Sequence, residues 1–263
     1  MPGFLLVNPR SGNGSPSADE LVAAARELGV ETHVLAKGDD LEELARAAPD
    51  GPLGMAGGDG SLGVVASVAI ERDLPFVCVP FGTRNHFARD AGLDRDDPLA
   101  ALAGFDGVER RIDVGRANGR VFLNNASLGV YARLVRRRER HRRRGDAFAR
   151  LRALGIALRS WHPTLVVDGE PVAARVILVA NNAYKLELLD LGARECLDEG
   201  RLHLYIAHGV FRHSWEERVA SSFELDASTR RVELALDGEP VVLEGPVRCE
   251  LEPGALRLLV PPG

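Results

Sequence analysis

The chain has 263 residues, of which 45% are apolar and 27% charged, with a formal net charge of −5. That length suits one large domain or two modest ones. The acidic balance argues against a protein that coats nucleic acid. The few, odd and widely spaced cysteines (Cys78, Cys196 and Cys249) argue against a disulfide framework or a thiolate zinc site.

In chain order, the first third alternates strand and helix. Phe4–Val7 is a short apolar run of buried-strand type, and Ser17 with Glu20 makes a capping box that opens a helix ended by Gly29. Val30–Leu35 reads as a strand, and Leu41, Leu44, Ala45 and Ala48 recur at helical spacing. Leu53–Ala56 leads into Gly57-Gly58-Asp59-Gly60-Ser61, the following helix covers Leu62–Ile70, and Phe76–Val79 is another buried strand. Such alternation implies a mostly parallel sheet with helices on both faces, and in such sheets ligands gather beyond the carboxyl ends of the strands. The loops 8–14, 57–61 and 82–85 follow three of these strands, and all are polar and glycine-bearing.

Beyond residue 115 the pattern becomes β-rich. Asn118-Gly119 marks a hairpin, a helical stretch is expected from about 130 to 160, and strand runs follow at Leu165–Val167, Val176–Ala180, Leu202–Ala207, Val232–Leu236, Val247–Leu251 and Leu256–Val260. The expected division is 1–114, an α/β domain, and 115–263, a β-rich antiparallel sandwich, with the last strand free to return to the first domain. The apolar runs are all too short to span a bilayer, which takes about 18 residues or more. Met1–Val7 is too short and uncharged for a signal peptide. The expected compartment is the cytoplasm.

The glycine motif carries the chemistry. Glycine lets a backbone approach a charged ligand closely, and a helix start favours phosphate. One carboxylate among such amides, Asp59, suits a site that also holds Mg²⁺ or a reacting hydroxyl. Asn8-Pro9-Arg10-Ser11-Gly12 and Pro80-Phe81-Gly82-Thr83-Arg84-Asn85 offer further amides, hydroxyls and a carboxamide to a nucleotide. Either could equally be an ordinary turn or helix cap. A Walker loop is missing. Gly58-x-Gly60-x-x-Gly63 matches the dinucleotide fingerprint without its later acid, and Ser61 and Ser127 both lack the nucleophile-elbow glycine. Asp-Gly-Glu-Pro-Val occurs twice, at 168–172 and 237–241, and spacing does not choose between the copies. Arg133–Arg144 holds eight arginines, a solvated helix face or a surface for anionic lipid headgroups. The seven histidines show no metal-ligand spacing.

Taken together, Asn-Pro-x-Ser-Gly at 8–12, Gly-Gly-Asp-Gly-Ser at 57–61, Pro-x-Gly-Thr-x-Asn at 80–85, Ile112-Asp113-x-Gly115, the turn at 198–200 and Asp-Gly-Glu at 237–239 resemble the diacylglycerol kinase-like lipid kinase family. The resemblance implies an ATP- and Mg²⁺-dependent transfer of phosphate to a lipid hydroxyl, with ATP between two domains. It places Asn8, Ser11, Gly12, Gly57, Gly58, Asp59, Gly60, Ser61, Gly82, Thr83 and Asn85 at the nucleotide. It makes Glu239 the general base, puts Asp59 and Asp113 in the catalytic and Mg²⁺ network, and assigns a structural ion to Glu199 and the carbonyls of Cys196 and Arg201. The partners it allows are a lipid substrate, an anionic membrane met through Arg133–Arg144 and a second copy of the chain, with peripheral location at the inner membrane face. Three departures stand out. Leu62-Gly63-Val64 replaces the family's Asn-Glu, His86 stands for aspartate, and Glu199 is one methylene longer than the usual aspartate. An NAD kinase-like enzyme acting on a soluble acceptor and a non-catalytic nucleotide- or lipid-binding protein are the alternatives.

Overall fold

The structure, a computed structural model, describes residues 2–11, 15–129, 165–174, 176–185, 193–208, 215–227 and 230–262. The described chain forms two compact units: Met1–Val114 with Tyr184–Glu199 and Glu252–Gly263, and Gly115–Ala183 with Gly200–Leu251. The helical stretch expected at 130–160, the arginine run Arg133–Arg144 and Gly12 lie outside the described residues.

The first unit opens with β1 (Phe4–Val7), α1 (Ala18–Glu27), β2 (Glu31–Val34), α2 (Leu41–Ala47), β3 (Leu53–Gly57), α3 (Asp59–Glu71), β4 (Phe76–Pro80), α4 (His86–Asp90) and α5 (Pro98–Ala101). The capping box is present: the Ser17 hydroxyl accepts from the Glu20 amide, and the Glu20 carboxylate accepts from the Ser17 amide at 2.7 Å. Strands β2, β1, β3 and β4 lie side by side and pair in parallel. Strands β3 and β4 are buried along their whole length, as expected where helices cover both faces. Leu21 and Ala25 of α1 pack with Leu5, Val7, Val77 and Val79 in one cluster. Truncating a core residue such as Leu21 to alanine costs about 2–5 kcal/mol.

The β-rich part comprises β5 (Val108–Ala117), β6 (Arg120–Phe122), β7 (Asn125–Gly129), β8 (Leu165–Val167), β9 (Glu170–Val172), β10 (Val176–Asn181), β11 (Leu202–Ala207), β12 (Trp215–Ala220), β13 (Ser222–Ala227), β14 (Arg231–Leu236), β15 (Glu239–Glu244) and β16 (Val247–Val260). One antiparallel sheet runs β12-β11-β10-β7-β14-β15. The start of β16 pairs with β13, which pairs with β8, which pairs with β9. Side chains of both layers, including Leu128, Ile177, Leu204 and Leu234 from one and Val167, Phe223, Leu225 and Cys249 from the other, form a single core. The second unit is therefore a sandwich.

Two expectations about strands need correction. The separate runs 247–251 and 256–260 are one strand, because the backbone passes through Pro253 and Gly254 without ending it. Gly254 takes φ 60°, donates its N–H to Asp113 and accepts from Arg111, so the bend is held from β5. The end of β16 pairs in parallel with β4, Leu258 opposite Phe76. Strands β12, β13 and β15 have no counterpart in the apolar pattern. Trp215-Glu216-Glu217-Arg218 and Glu239-Pro240 are polar because these strands are partly exposed, and cross-strand hydrogen bonding sets them.

Candidate functional site

Adjacent parallel strands β1, β3 and β4 all end at the same edge of the sheet, so the segments after Val7, Gly57 and Pro80 emerge side by side. The glycine motif is tighter than a free loop. Gly57 is the last residue of β3, Gly58 precedes the helix, and Asp59, Gly60 and Ser61 are already the first turn of α3. The Ser61 and Leu62 amides donate to the Gly58 carbonyl at 2.9 and 3.1 Å.

The second segment presses against the first. A Cβ on Gly82 would sit 2.6 Å from Gly58 Cα, closer than real atoms allow. Glycine at 82 is thus required by contact between backbones. Asn85 takes the left-handed conformation at φ 46° and is only 4% exposed. Its Oδ1 accepts from the Gly82 amide at 2.8 Å, and its Nδ2 donates to the carbonyls of Gly82 (3.1 Å) and Arg95 (3.4 Å). Asn85 precedes α4 without capping it through its side chain, which locks its own turn. The cap on α4 comes from Asp59, whose carboxylate accepts from the amides of His86 (3.2 Å) and Phe87 (3.0 Å). One acidic side chain therefore fastens two glycine turns together. Thr83 stays exposed on the second turn.

That carboxylate shapes its surroundings. Burial lowers the pKa of the half-buried His86 imidazole; Asp59 opposes this and Arg89 and Arg84 reinforce it. Beneath, the buried Cys78 thiol is pushed well above its ordinary value by burial and then by the charge of Asp59. On the third segment the Asn8 carboxamide accepts from the Arg10 amide at 3.1 Å, and the Ser11 amide donates to the Asn8 carbonyl, an Asx-type turn. The Asn8 amide reaches the carbonyl of Ala56 in β3 at 2.9 Å.

Asp113 is 3% exposed on β5. Its carboxylate accepts from the Gly254 amide at 2.9 Å, and its own N–H donates to the Leu197 carbonyl at 2.7 Å. It thus braces the turn that carries Cys196 and Glu199. Burial raises the Cys196 thiol, opposed by a hydrogen bond from the Asp198 amide and helped by the charges of Glu199, Asp198 and Asp113. Three carboxylates, Asp113, Asp198 and Glu199, thus act on this turn. Yet among the described residues no three His, Cys, Asp or Glu side chains converge as a metal cage. The Arg201 carbonyl accepts from the Asn182 amide at 3.0 Å. A cation here would depend on main-chain carbonyls and one carboxylate, a set for a hard ion that keeps much of its water.

In the second unit, Glu239 is exposed at the start of β15, just after the two-residue turn Asp237-Gly238. Asp237, first residue of the second Asp-Gly-Glu and given no role of its own by the sequence, is the anchor of that hairpin. Its carboxylate accepts from the amides of Leu123 (2.8 Å), Asn124 (2.7 Å) and Asn125 (3.0 Å). A second unforeseen group lies in the first unit. The Asp90 carboxylate, with its side chain 2% exposed, receives Arg194 Nε at 2.8 Å and Arg89 Nε at 2.7 Å, pinning the end of α4 to segment 193–199. A separation of 104 residues hides the Arg194 pair from any local pattern. The repeated Asp-Gly-Glu was the only signal for Asp237.

Comparisons with known proteins agree with this architecture. The family model for the diacylglycerol kinase catalytic domain matches residues 2–117. A protein of Pseudomonas aeruginosa described as "Probable lipid kinase YegS-like" is 38% identical over 139 residues, 50% of this chain and 45% of that protein, so this match spans a little under half of the relative's length. A Pseudomonas fluorescens protein with the same description is 30% identical over 248 residues, 84% of this chain and 81% of its own. The crystal structure of a diacylglycerol kinase from Bacillus anthracis superposes with a TM-score of 0.69 at 18% identity, covering 99% of this chain and 97% of that one. At that identity the likeness speaks for the fold.

Proposed function

Because the chain belongs to the diacylglycerol kinase-like lipid kinase family, we propose that it moves the γ-phosphoryl group of ATP to a lipid hydroxyl, with diacylglycerol as the favoured acceptor. The observation that carries this reading is the interlock of the two glycine turns through Gly58, Gly82 and Asp59. It fixes a rigid run of backbone beside a helix start, which suits a ligand with several phosphate charges. Phosphoryl transfer asks mainly for positioning and charge neutralisation, so such rigidity is the property to expect of a kinase.

In this reading the start of α3, Ser11 and Thr83 receive the nucleotide. Glu239 takes the proton of the acceptor hydroxyl as its oxygen attacks the γ-phosphorus, and ADP leaves. Asp237 positions that base by holding the hairpin to the amides of 123–125. Asp113 acts at one remove, by bracing the turn of Cys196 and Glu199. Mg²⁺ would neutralise the β- and γ-phosphates when bound with the nucleotide. Glu199 with the carbonyls of Cys196 and Arg201 remains our assignment for a separate structural ion. Action at the cytoplasmic face of a membrane fits the lipid acceptor, and among the described residues no helix is long and apolar enough to cross a bilayer.

The test is ADP release by the purified chain with ATP and Mg²⁺, with and without diacylglycerol-containing vesicles. The expected result is release that depends on the lipid. A second reading, nucleotide binding without turnover, is favoured by one feature: Gly63 is buried and Val64 is 36% exposed where the family carries Asn-Glu. That reading predicts an ATP-dependent rise in melting temperature with no ADP under any acceptor.

A further inference from the structure

Beside the Gly82–Asn85 turn lies a cavity of about 200 Å³, lined in part by Ser15, Thr83, Arg84, Arg95 and Asp96. It is smaller than the roughly 300–1,000 Å³ of sites that swallow a drug-sized ligand, so it fits one portion of a nucleotide. Two of its walls are arginines. Elsewhere in the described chain, arginines such as Arg46, Arg72, Arg194, Arg218 and Arg257 hold carboxylates. The guanidinium groups of Arg84 and Arg95 do not: among the described residues neither has an ion pair or a hydrogen bond to a protein acceptor, and Asp96 on the same wall is not within ion-pair distance of either.

Their placement is not left to flexible loops alone. Arg84 stands between Thr83 and Asn85, and the buried Asn85 carboxamide bonds to Gly82 on one side and to the Arg95 carbonyl on the other. The same side chain that locks the turn therefore joins the two arginine-bearing segments. Two arginines lining one small polar cavity, with guanidiniums that hold no carboxylate, are complementary to a phosphoanion, which can accept paired N–H donors from each.

We propose that Arg84 and Arg95 form a phosphate clamp that holds the polyphosphate of the nucleotide donor in this cavity. The proposal rests on the kinase reading for the identity of the anion, while the clamp itself rests on the cavity. Both side chains are exposed, so their removal leaves the core intact.

The experiment uses wild type, Arg84→Ala, Arg95→Ala and the double variant. Thermal stabilisation by inorganic pyrophosphate, by ATP and by adenosine is measured beside the KM for ATP in lipid phosphorylation. Pyrophosphate and ATP should stabilise wild type and lose that effect in the double variant, while adenosine gives the same small response in both. Charge-assisted hydrogen bonds of this kind lead us to expect KM for ATP to rise roughly 10- to 100-fold in the double variant, with kcat changed by less than about threefold. Equal stabilisation of wild type and double variant by pyrophosphate overturns the clamp, as does an unchanged KM in an active enzyme. Loss of the pyrophosphate response by the double variant, in a chain whose wild type transfers no phosphate from ATP, keeps the clamp and sinks the kinase reading instead.

Discussion

The two Asp-Gly-Glu-Pro-Val segments are identical in sequence and adopt the same turn, yet their surroundings give them different work. Asp168 and Asp237 both have φ 49°, followed by Gly169 at 80° and Gly238 at 85°. Each aspartate donates its amide to a neighbouring strand, to Glu224 in one case and to Asn125 in the other. There the likeness ends. The Asp168 carboxylate accepts one exposed amide, that of Glu224 at 2.8 Å. The Asp237 carboxylate accepts from three consecutive, partly buried amides. Glu170 lies 3.3 Å from the Arg218 guanidinium and is tied to the neighbouring β12. Local sequence sets the turn, whereas the neighbouring strand decides whether it is a surface link or is held by three amides.

The largest expected difference between the copies is catalytic. Glu239→Gln should lower kcat for lipid phosphorylation by about 10²- to 10⁴-fold, the usual worth of a general base. Glu170→Gln should stay within about twofold. Equal losses would break the distinction.

Next comes stability. Asp237→Ala strands three amides and should cost about 3 kcal/mol, against about 1 kcal/mol for Asp168→Ala, measured by urea unfolding. The left-handed backbone penalises alanine alike at both sites, so it cancels from the difference. A control sharpens this further. Gly169→Ala and Gly238→Ala meet no atom within 4 Å, so each should cost only the backbone term of about 1 kcal/mol, and the two should agree. The smallest effect concerns the Glu170 pair. Glu170→Ala should cost about 0.5 kcal/mol, and most of that should vanish in 1 M salt, because the Glu170 side chain is 71% exposed.

What was legible in the sequence follows the same division between local and distant causes. Strand–glycine–helix alternation through residue 80 is a local signal, and the parallel order of β2, β1, β3 and β4 is its consequence. The capping box at Ser17 and Glu20 is equally local. By contrast, β12 and β15 are partly exposed strands whose polar residues conceal them, and β16 runs on past a proline and a glycine because Asp113 and Arg111 hold its bend. In the site, the glycine motif was visible, but the linking roles of Asp59 and Asn85 were not. They depend on amides and carbonyls brought near by the sheet, such as those of His86 and Phe87, some 27 and 28 residues from Asp59. The brace between Asp90 and Arg194 was hidden for the same reason.

The most direct measurement follows the fate of the terminal phosphate. Wild-type protein is given [γ-³²P]ATP, Mg²⁺, vesicles containing diacylglycerol, and NAD as a competing soluble acceptor. Label recovered in the organic phase as a phosphorylated lipid is the predicted result. Label on NAD, or none on any acceptor while ATP still binds, would contradict the account.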